Sequence, residues 1–588
     1  MRLKKRKECL FFLLFAFLIF GIFQYSIHKI FGMVYFPDEF GYWASAAKWN
    51  GYDWSSLTAL GSYYSFGYSI LLAPILRLGC DGVTAYRTAV ALNMLLQALA
   101  APMLYGIFRR IFPAADRQPA VCAVGIALFY PVWIFYAQVT LAEGLLFFLY
   151  IGVIYLLART VEKARPGTIL LLSAALVYLY FVHMRTVGVL AAAVLVLLCW
   201  LWQEPAYRRR MLIGFGVLAA GGILGIVLRL VVIGAVYGNT EQEMLAANDL
   251  TGQLSRVAAV FSAEGIVRFF CGSVGKLFYL GASSFGTVYY ALVSIGKTGV
   301  GFLRKLRHKE KIRREEWLSL FLLFSFAGQF LITAVYMNEP RRADEVVYGR
   351  YNDYLLPVFM GTGFLVMYRC RRLVRTTVAV TAVQTAMLPV VLYGERLYGG
   401  SEIQGYFMAG IAYLVDDLHF EALPDLTAIC LLADLMIVLF SVLVWLGREK
   451  KLDVCVMALV VFAQIMLGFR LHHKYTYLFN ELIYREVQLS GFIGQKAGQK
   501  ITCLYEGGTA YIDVIQFNLP QHKIDVITEK EMTGICDPEE KGATGTGEYL
   551  LLDIDSTWRE RVGEYWPPCA ESACFAVYER ESVLDFSD

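Results

Sequence analysis

The sequence predicts a polytopic α-helical membrane protein with a small α/β domain at its C-terminal end. Three observations carry this expectation. The 588 residues are 58% hydrophobic and only 17% charged, where a water-soluble chain would carry about a quarter charged residues. Apolar runs on the order of 20 residues, the length that crosses a bilayer, recur up to about residue 470. From about residue 475 the texture changes: polar residues rise and short strand-like runs alternate with helical ones.

The first apolar run, Leu10 to Phe31, follows the basic segment Arg2-Leu3-Lys4-Lys5-Arg6-Lys7. It is long enough to span and lacks a small-residue cleavage site, so it reads as a retained helix rather than a signal peptide. Further spans are expected at 83–108, 119–137, 141–160, 167–182, 186–203, 211–236, 274–302, 317–337, 353–369, 375–394, 425–447 and 453–470, about 13 in all with the first at 9–31. Basic residues gather in alternate loops: Arg109-Arg110, Lys163 with Arg165, Arg208-Arg209-Arg210, Arg304 to Arg314, Arg371-Arg372 and Lys450-Lys451. The positive-inside rule makes that side cytoplasmic, together with the N-terminus. The odd number of crossings then puts the C-terminal domain, 473–588, outside a membrane module spanning 1–472.

The outer loops are then 32–82, 138–140, 183–185, 237–273, 338–352 and 395–424. In the first of these, Ser69 to Leu78 is too short to cross and reads as a helix lying at the interface. Its many tyrosines and tryptophans read chiefly as an aromatic belt at headgroup level. In the C-terminal domain, strands are expected over 500–505, 522–528, 549–554 and 574–578, with a helix over 509–517 after the Gly507-Gly508 turn. Of the twelve cysteines, none has CxxC spacing. Cys503, Cys536, Cys569 and Cys574 lie in the outer domain, where disulfides are chemically permitted but no pairing is dictated. No basic face with interleaved aromatics suggests nucleic acid.

The informative polar residues fall at outer helix ends. Tyr35-Phe36-Pro37-Asp38-Glu39-Phe40 places two carboxylates just past the first span. Pro37 with two following acids is also an ordinary helix start. Arg87 opens the second span. Glu143 stands where the third span turns into the fourth, and it also suits a cap. His183 and Arg185 share a very short turn. Arg350 and Tyr351 precede the Leu356-Pro357 helix start. Carboxylates, arginines and aromatics at one membrane face describe a site that grips phosphate through guanidinium groups and offers a carboxylate base.

In this order, with Gly67-Tyr68-Ser69-Ile70-Leu71-Leu72-Ala73-Pro74, Tyr86-Arg87, Leu141-Ala142-Glu143 and Gly349-Arg350-Tyr351, the chain resembles the integral-membrane GT-C glycosyltransferases. Within them it is most similar to the protein O-mannosyltransferase and lipid A aminoarabinose transferase branch. The resemblance covers roughly residues 1–470. It implies inverting transfer of a sugar from a polyprenyl-phosphate donor to a hydroxyl of a lipid, glycan or protein acceptor on the outer face of the cell membrane. It makes Asp38 the general base with Glu39 as its neighbour, and has Arg350 hold the lipid phosphate, assisted by Arg87 or Arg185. Glu143, His183 and Tyr351 complete the expected substrate-binding set. Some members bind a divalent metal near the acidic pair and others do not. Asp38, Glu39, Glu143 and His183 show no metal-ligand spacing, so the sequence assigns neither metal nor cofactor. Relatives often carry a Pro-Pro pair, sometimes with a preceding lysine, where this chain reads Tyr63-Tyr64-Ser65-Phe66-Gly67-Tyr68, and no lysine there offers itself to a phosphate. Two other readings stay open: a lipid or polysaccharide transporter, for which Arg229 and Asp434 are the few ionisable candidates at mid-bilayer, and a noncatalytic scaffold of the same fold.

Overall fold

A computed structural model describes residues 2–79, 81–240, 250–308, 310–339, 341–399, 403–414, 425–495, 500–508, 510–535, 549–564 and 566–579. Among them nine helices are long and apolar enough to cross a membrane, or eleven when each of two bent pairs counts as one crossing. The chain is a multi-pass membrane protein. The expected spans 167–182 and 353–369 appear as Pro166–Val182 and Leu356–Arg369, helices of 17 and 14 residues, so nine to eleven of the about 13 expected crossings have full spanning length among the described residues.

Both bends have local causes. The span expected at 119–137 is two helices, Arg117–Leu128 and Pro131–Ala137, meeting at 52°. Pro131 has no N–H to continue the ladder, and it drives Tyr130 to an extended ψ of 124°. The break frees carbonyls inside the membrane, where water cannot reach them. Buried amides take them: Gln464 Nε2 donates to the Ile126 carbonyl at 3.0 Å and Gln97 Nε2 to that of Leu128 at 2.7 Å. The span expected at 274–302 is also overturned as a single helix. It is the second half of Ala263–Ser283 joined to Thr287–Arg307 at 114°. Gly286, at φ +75°, makes the corner, a conformation open to glycine at no steric cost. A continuous apolar pattern runs through both breaks, which is why periodicity alone misses them.

From Pro119 to Ala137 the first bent pair is buried throughout. At the periphery the Arg208–Val236 helix packs through one face only. Gly214, Gly221 and Gly225 bring it against Ile169, Val177 and Phe181, while Leu212, Ile223, Leu224 and Leu230 stay exposed, as a lipid-facing surface requires. Asp434, unexplained by the sequence reading, accepts a hydrogen bond from Thr385 Oγ1 of the adjacent Leu373–Tyr398 helix at 2.6 Å.

The last crossing does not stop near residue 470. Asp453–Gly494 is one 42-residue helix with a π turn at His473–Tyr477, and it carries the chain out of the bundle to a five-stranded sheet. With β1 Ile501–Leu504, β2 Ile524–Ile527, β3 Tyr549–Asp553, β4 Pro568–Glu571 and β5 Phe575–Glu579, the order among the described residues is β2-β1-β3-β5-β4. β2, β1 and β3 are parallel and β5 and β4 antiparallel. β4 was not expected from sequence: it starts at a proline and sits on the sheet edge, where a missing donor is tolerated. Cys503 and Cys574 are free thiols, and Cys569 Sγ donates to the Val577 carbonyl at 3.3 Å; Cys536 lies outside the described residues, as do 241–249 of loop 237–273 and 400–402 and 415–424 of loop 395–424. The sheet domain sits over the first loop: Trp54 Nε1 donates to the Pro520 carbonyl at 3.0 Å, and Phe517 packs on Trp43 at 4.8 Å between ring centroids.

The second bend is held against the Leu356–Arg369 helix. A Cβ on Gly363 would stand 2.0 Å from the Thr287 carbonyl oxygen, a backbone atom with no room to move aside. Gly363→Ala is therefore expected to lower stability by about 1–3 kcal/mol through overpacking, read as a lower thermal unfolding midpoint in detergent; an unchanged midpoint would mean the two segments separate freely.

Candidate active site

The site begins at the turn before the Asp38–Trp49 helix. Asp38 and Glu39 are adjacent but point apart. Glu39 is fully buried and collects donors from three segments. Its Oε2 accepts from the Val34 and Tyr35 amides at 3.0 and 3.3 Å. Its Oε1 accepts from Tyr86 Oη at 2.6 Å and from the Thr140 amide and Oγ1 at 3.0 and 3.1 Å. Burial pushes the Glu39 carboxyl above its ordinary pKa, while these donors pull it back. Each of them would be stranded by a nonpolar substitution, at about 1–3 kcal/mol per group. Glu39 thus ties the entry to this helix to the second span and to the turn that leads into Glu143.

Asp38 faces the other way. Tyr64 Oη donates to its Oδ1 at 2.7 Å, and Arg350 Nη1 donates to Oδ2. Gly41, three residues on and so on the same helical face, makes the first contact fit: a Cβ there would lie 2.0 Å from the Tyr64 ring. Arg350 also grips Glu143, with Nε to Oε1 at 2.5 Å and Nη2 to Oε2 at 3.3 Å. One buried guanidinium therefore bridges two carboxylates. It is fixed from behind by Gly349, whose amide donates to the Phe407 carbonyl at 3.0 Å, and by Gln329, whose Nε2 donates to the Tyr351 carbonyl at 3.0 Å.

Asp38 and Arg350 open onto a cavity of about 180 Å³, which His183, Arg185 and Tyr351 also line. The Arg185 guanidinium lies in the corner of two rings, its central carbon 3.8 Å from the Tyr336 ring centroid and 3.9 Å from that of Tyr351, with the rings at 77° to each other. Tyr336 also takes a hydrogen bond from it, and its other N–H donors are left to meet an anion. Among the described residues no carboxylate pairs with it. The turn that holds it is pinned by Thr186 Oγ1, which donates to the Leu179 carbonyl at 3.1 Å. His183 Nδ1 accepts from the Arg185 amide at 3.4 Å, which leaves the proton of the neutral ring on Nε2. Burial, and then Arg185 and Arg350, hold the His183 pKa well below the usual histidine range.

Of the residues singled out in the sequence, Asp38, His183, Arg185, Arg350 and Tyr351 converge on the cavity, and Glu143 stands behind Arg350. Glu39 does not line it. Neither does Arg87, whose Nε donates to the Ile30 carbonyl at 2.8 Å and whose guanidinium lies over Phe31. Sequence reasoning missed Tyr64, Tyr42 and Tyr336, having assigned the loop tyrosines to an interfacial belt. Gly41 behind the acidic pair, which makes room for a ring beside Asp38, was the available signal. Asp38 and Glu143 do not suit a divalent cation, because Arg350 takes the space between them; among the described residues no three His, Cys, Asp or Glu side chains group as metal ligands.

No family model and no curated protein matches the chain. Solved structures do. ArnT from Cupriavidus metallidurans bound to undecaprenyl phosphate superposes with a TM-score of 0.51 at 13% identity, over 96% of this chain and 97% of that one. The apo state of the same protein gives 0.50 with the same identity and coverage. The archaeal oligosaccharyltransferase AglB from Archaeoglobus fulgidus aligns at 0.42 and 11% identity, over 96% of this chain and 71% of that one. The chain shares the fold of ArnT. In this chain the first loop, the short 183–185 turn and the segment before Leu356–Arg369 meet at one end of the bundle, under the C-terminal sheet.

The depressed His183 pKa has a consequence for stability. Unfolded, the ring takes a proton near pH 6.5; folded, it refuses that proton. Its contribution is complete above about pH 6.5 and is lost as pH falls toward the folded value, by up to about 1.4 kcal/mol per pH unit. His183→Gln is expected to flatten the decline in unfolding midpoint from pH 7 to pH 5. Equal slopes in the two proteins would remove His183 as its source.

Proposed function

We propose that this chain is an inverting glycosyltransferase that moves a sugar from a polyprenyl-phosphate donor to an acceptor hydroxyl on the extracytoplasmic face of the cell membrane. The N-terminus is cytoplasmic and the C-terminal sheet domain extracytoplasmic, because the arginine- and lysine-rich loops lie at the bundle end opposite the cavity. What carries the reading is the cavity itself. An oriented carboxylate, Asp38, faces a guanidinium packed on two rings, Arg185, that has no carboxylate of its own among the described residues.

The division of labour follows from charge. Arg350 is matched by two carboxylates, so it serves chiefly to hold Asp38 aimed, with its remaining field reaching the donor. Arg185 takes the larger share of the phosphate, through in-plane donors suited to two oxygens at once. The acceptor oxygen attacks the anomeric carbon as the bond from that carbon to the phosphate oxygen breaks. The bonding pair leaves with the phosphate, and the acceptor proton passes to Asp38. A carboxylate suffices as the base because the hydroxyl becomes acidic only as it bonds to a carbon already bearing positive charge. The leaving phosphate is a stable anion and needs positive charge nearby rather than a strong acid. No step is routed through a metal.

The transporter reading is less well supported. Asp434 is engaged by Thr385 on the neighbouring helix and does not line the cavity. A noncatalytic scaffold would have no need of an aimed carboxylate beside an arginine packed on two rings.

Two measurements on the reconstituted protein test the proposal, using a panel of polyprenyl-phosphate sugars. Asp38→Asn keeps the shape and loses the base; turnover is expected to fall by about 100-fold or more with the unfolding midpoint retained. Normal turnover in that variant would remove Asp38 from its role. Arg185→Gln is expected to weaken polyprenyl-phosphate binding about tenfold or more, the loss of one or two charge-assisted hydrogen bonds. Unchanged donor affinity would return the phosphate to Arg350.

A further inference from the structure

Arg229 interrupts the most lipid-exposed helix of the bundle. It lies seven residues before the end of Arg208–Val236, about 10 Å inside that end by helix rise. Around it Val227, Leu228, Leu230 and Val231 are exposed. An arginine within a lipid-exposed span is costly and marks a functional position more often than a structural one. Its side chain turns inward. The guanidinium carbon is 5.1 Å from the Tyr63 ring centroid, and the two side chains are hydrogen-bonded. Tyr63 in turn lines the cavity that holds Arg185. One ring therefore has a cation on its membrane side and belongs to a cavity containing another. The outer end of the helix is anchored beside the first loop, where Thr58 Oγ1 donates to the Val236 carbonyl at 2.7 Å.

We propose that Arg229 and Tyr63 form a docking point, on the membrane flank of the cavity, for the phosphate of the isoprenoid-phosphate donor. The donor's tail stays in lipid against the exposed face of Arg208–Val236, and its phosphate meets Arg229 before it reaches Arg185 past the Tyr63 ring. Charge complementarity selects the occupant: a single anionic phosphate on a chain that never leaves the bilayer. The inference rests on the transfer reading above and adds a site outside the cavity.

The test uses the full chain in phosphatidylcholine nanodiscs, titrated with undecaprenyl phosphate. Saturable binding by the unaltered protein is expected. Arg229→Gln should raise the dissociation constant about fivefold or more, while Arg229→Lys, which keeps the charge, recovers most of the affinity. Turnover at saturating donor should stay within about twofold in both. An unchanged dissociation constant in Arg229→Gln overturns the docking point and leaves the transfer reading intact. A drop in saturated turnover with unchanged affinity overturns it as well, in favour of a structural role. Absence of saturable binding by the unaltered protein overturns both readings. Phosphatidylglycerol added to the discs separates the sources: competition as strong as that of undecaprenyl phosphate assigns the site to ordinary phospholipid and overturns the donor assignment.

Discussion

A single buried guanidinium organises this protein. Arg350 bridges Asp38, 312 residues away in sequence, and Glu143, 207 residues away. Without it two carboxylates would face each other in a space that admits little water, and breaking such a buried arrangement costs about 3–5 kcal/mol. The first loop, the start of the fourth expected span and the segment before Leu356–Arg369 must therefore meet in one register. The same contact aims Asp38 into the cavity, so one interaction fixes both the packing of these segments and the orientation of that carboxylate.

The surroundings of Arg350 show how a membrane bundle can afford irregular backbone at its functional end. Glu39 gathers amides and hydroxyls from three segments. Gln97 and Gln464 cap carbonyls freed at the Pro131 break, and Gln329 caps the segment that carries Arg350. Away from water an unpaired backbone group costs more than these amides cost to bury. Glycine does the complementary work where space is short, as at Gly41 beside Tyr64 and Gly363 against Thr287.

Much of the site was legible residue by residue, because polar side chains at the ends of apolar helices have few bland explanations. Asp38, His183, Arg185, Arg350 and Tyr351 were all chosen that way. The roles were harder to read. Arg350, expected to hold the phosphate, is engaged by two carboxylates, while Arg185 has no carboxylate partner among the described residues. Glu39 and Arg87 were grouped with the site by position; the first is a buried fastening and the second caps a carbonyl. Tyr64 was hidden among loop tyrosines that an interfacial belt explains equally well.

Composition and the spacing of apolar runs determined by themselves that this is a polytopic membrane protein with a terminal α/β domain, since the bilayer demands helices of a set length and the pleat demands short alternating strands. Tertiary structure alone decided how the last helix continues into the sheet domain and how the first loop packs beneath it. It also decided which of two adjacent carboxylates faces the cavity. Those outcomes depend on contacts between residues hundreds of positions apart, and hydrophobic periodicity, a property of neighbours along the chain, carries no record of them.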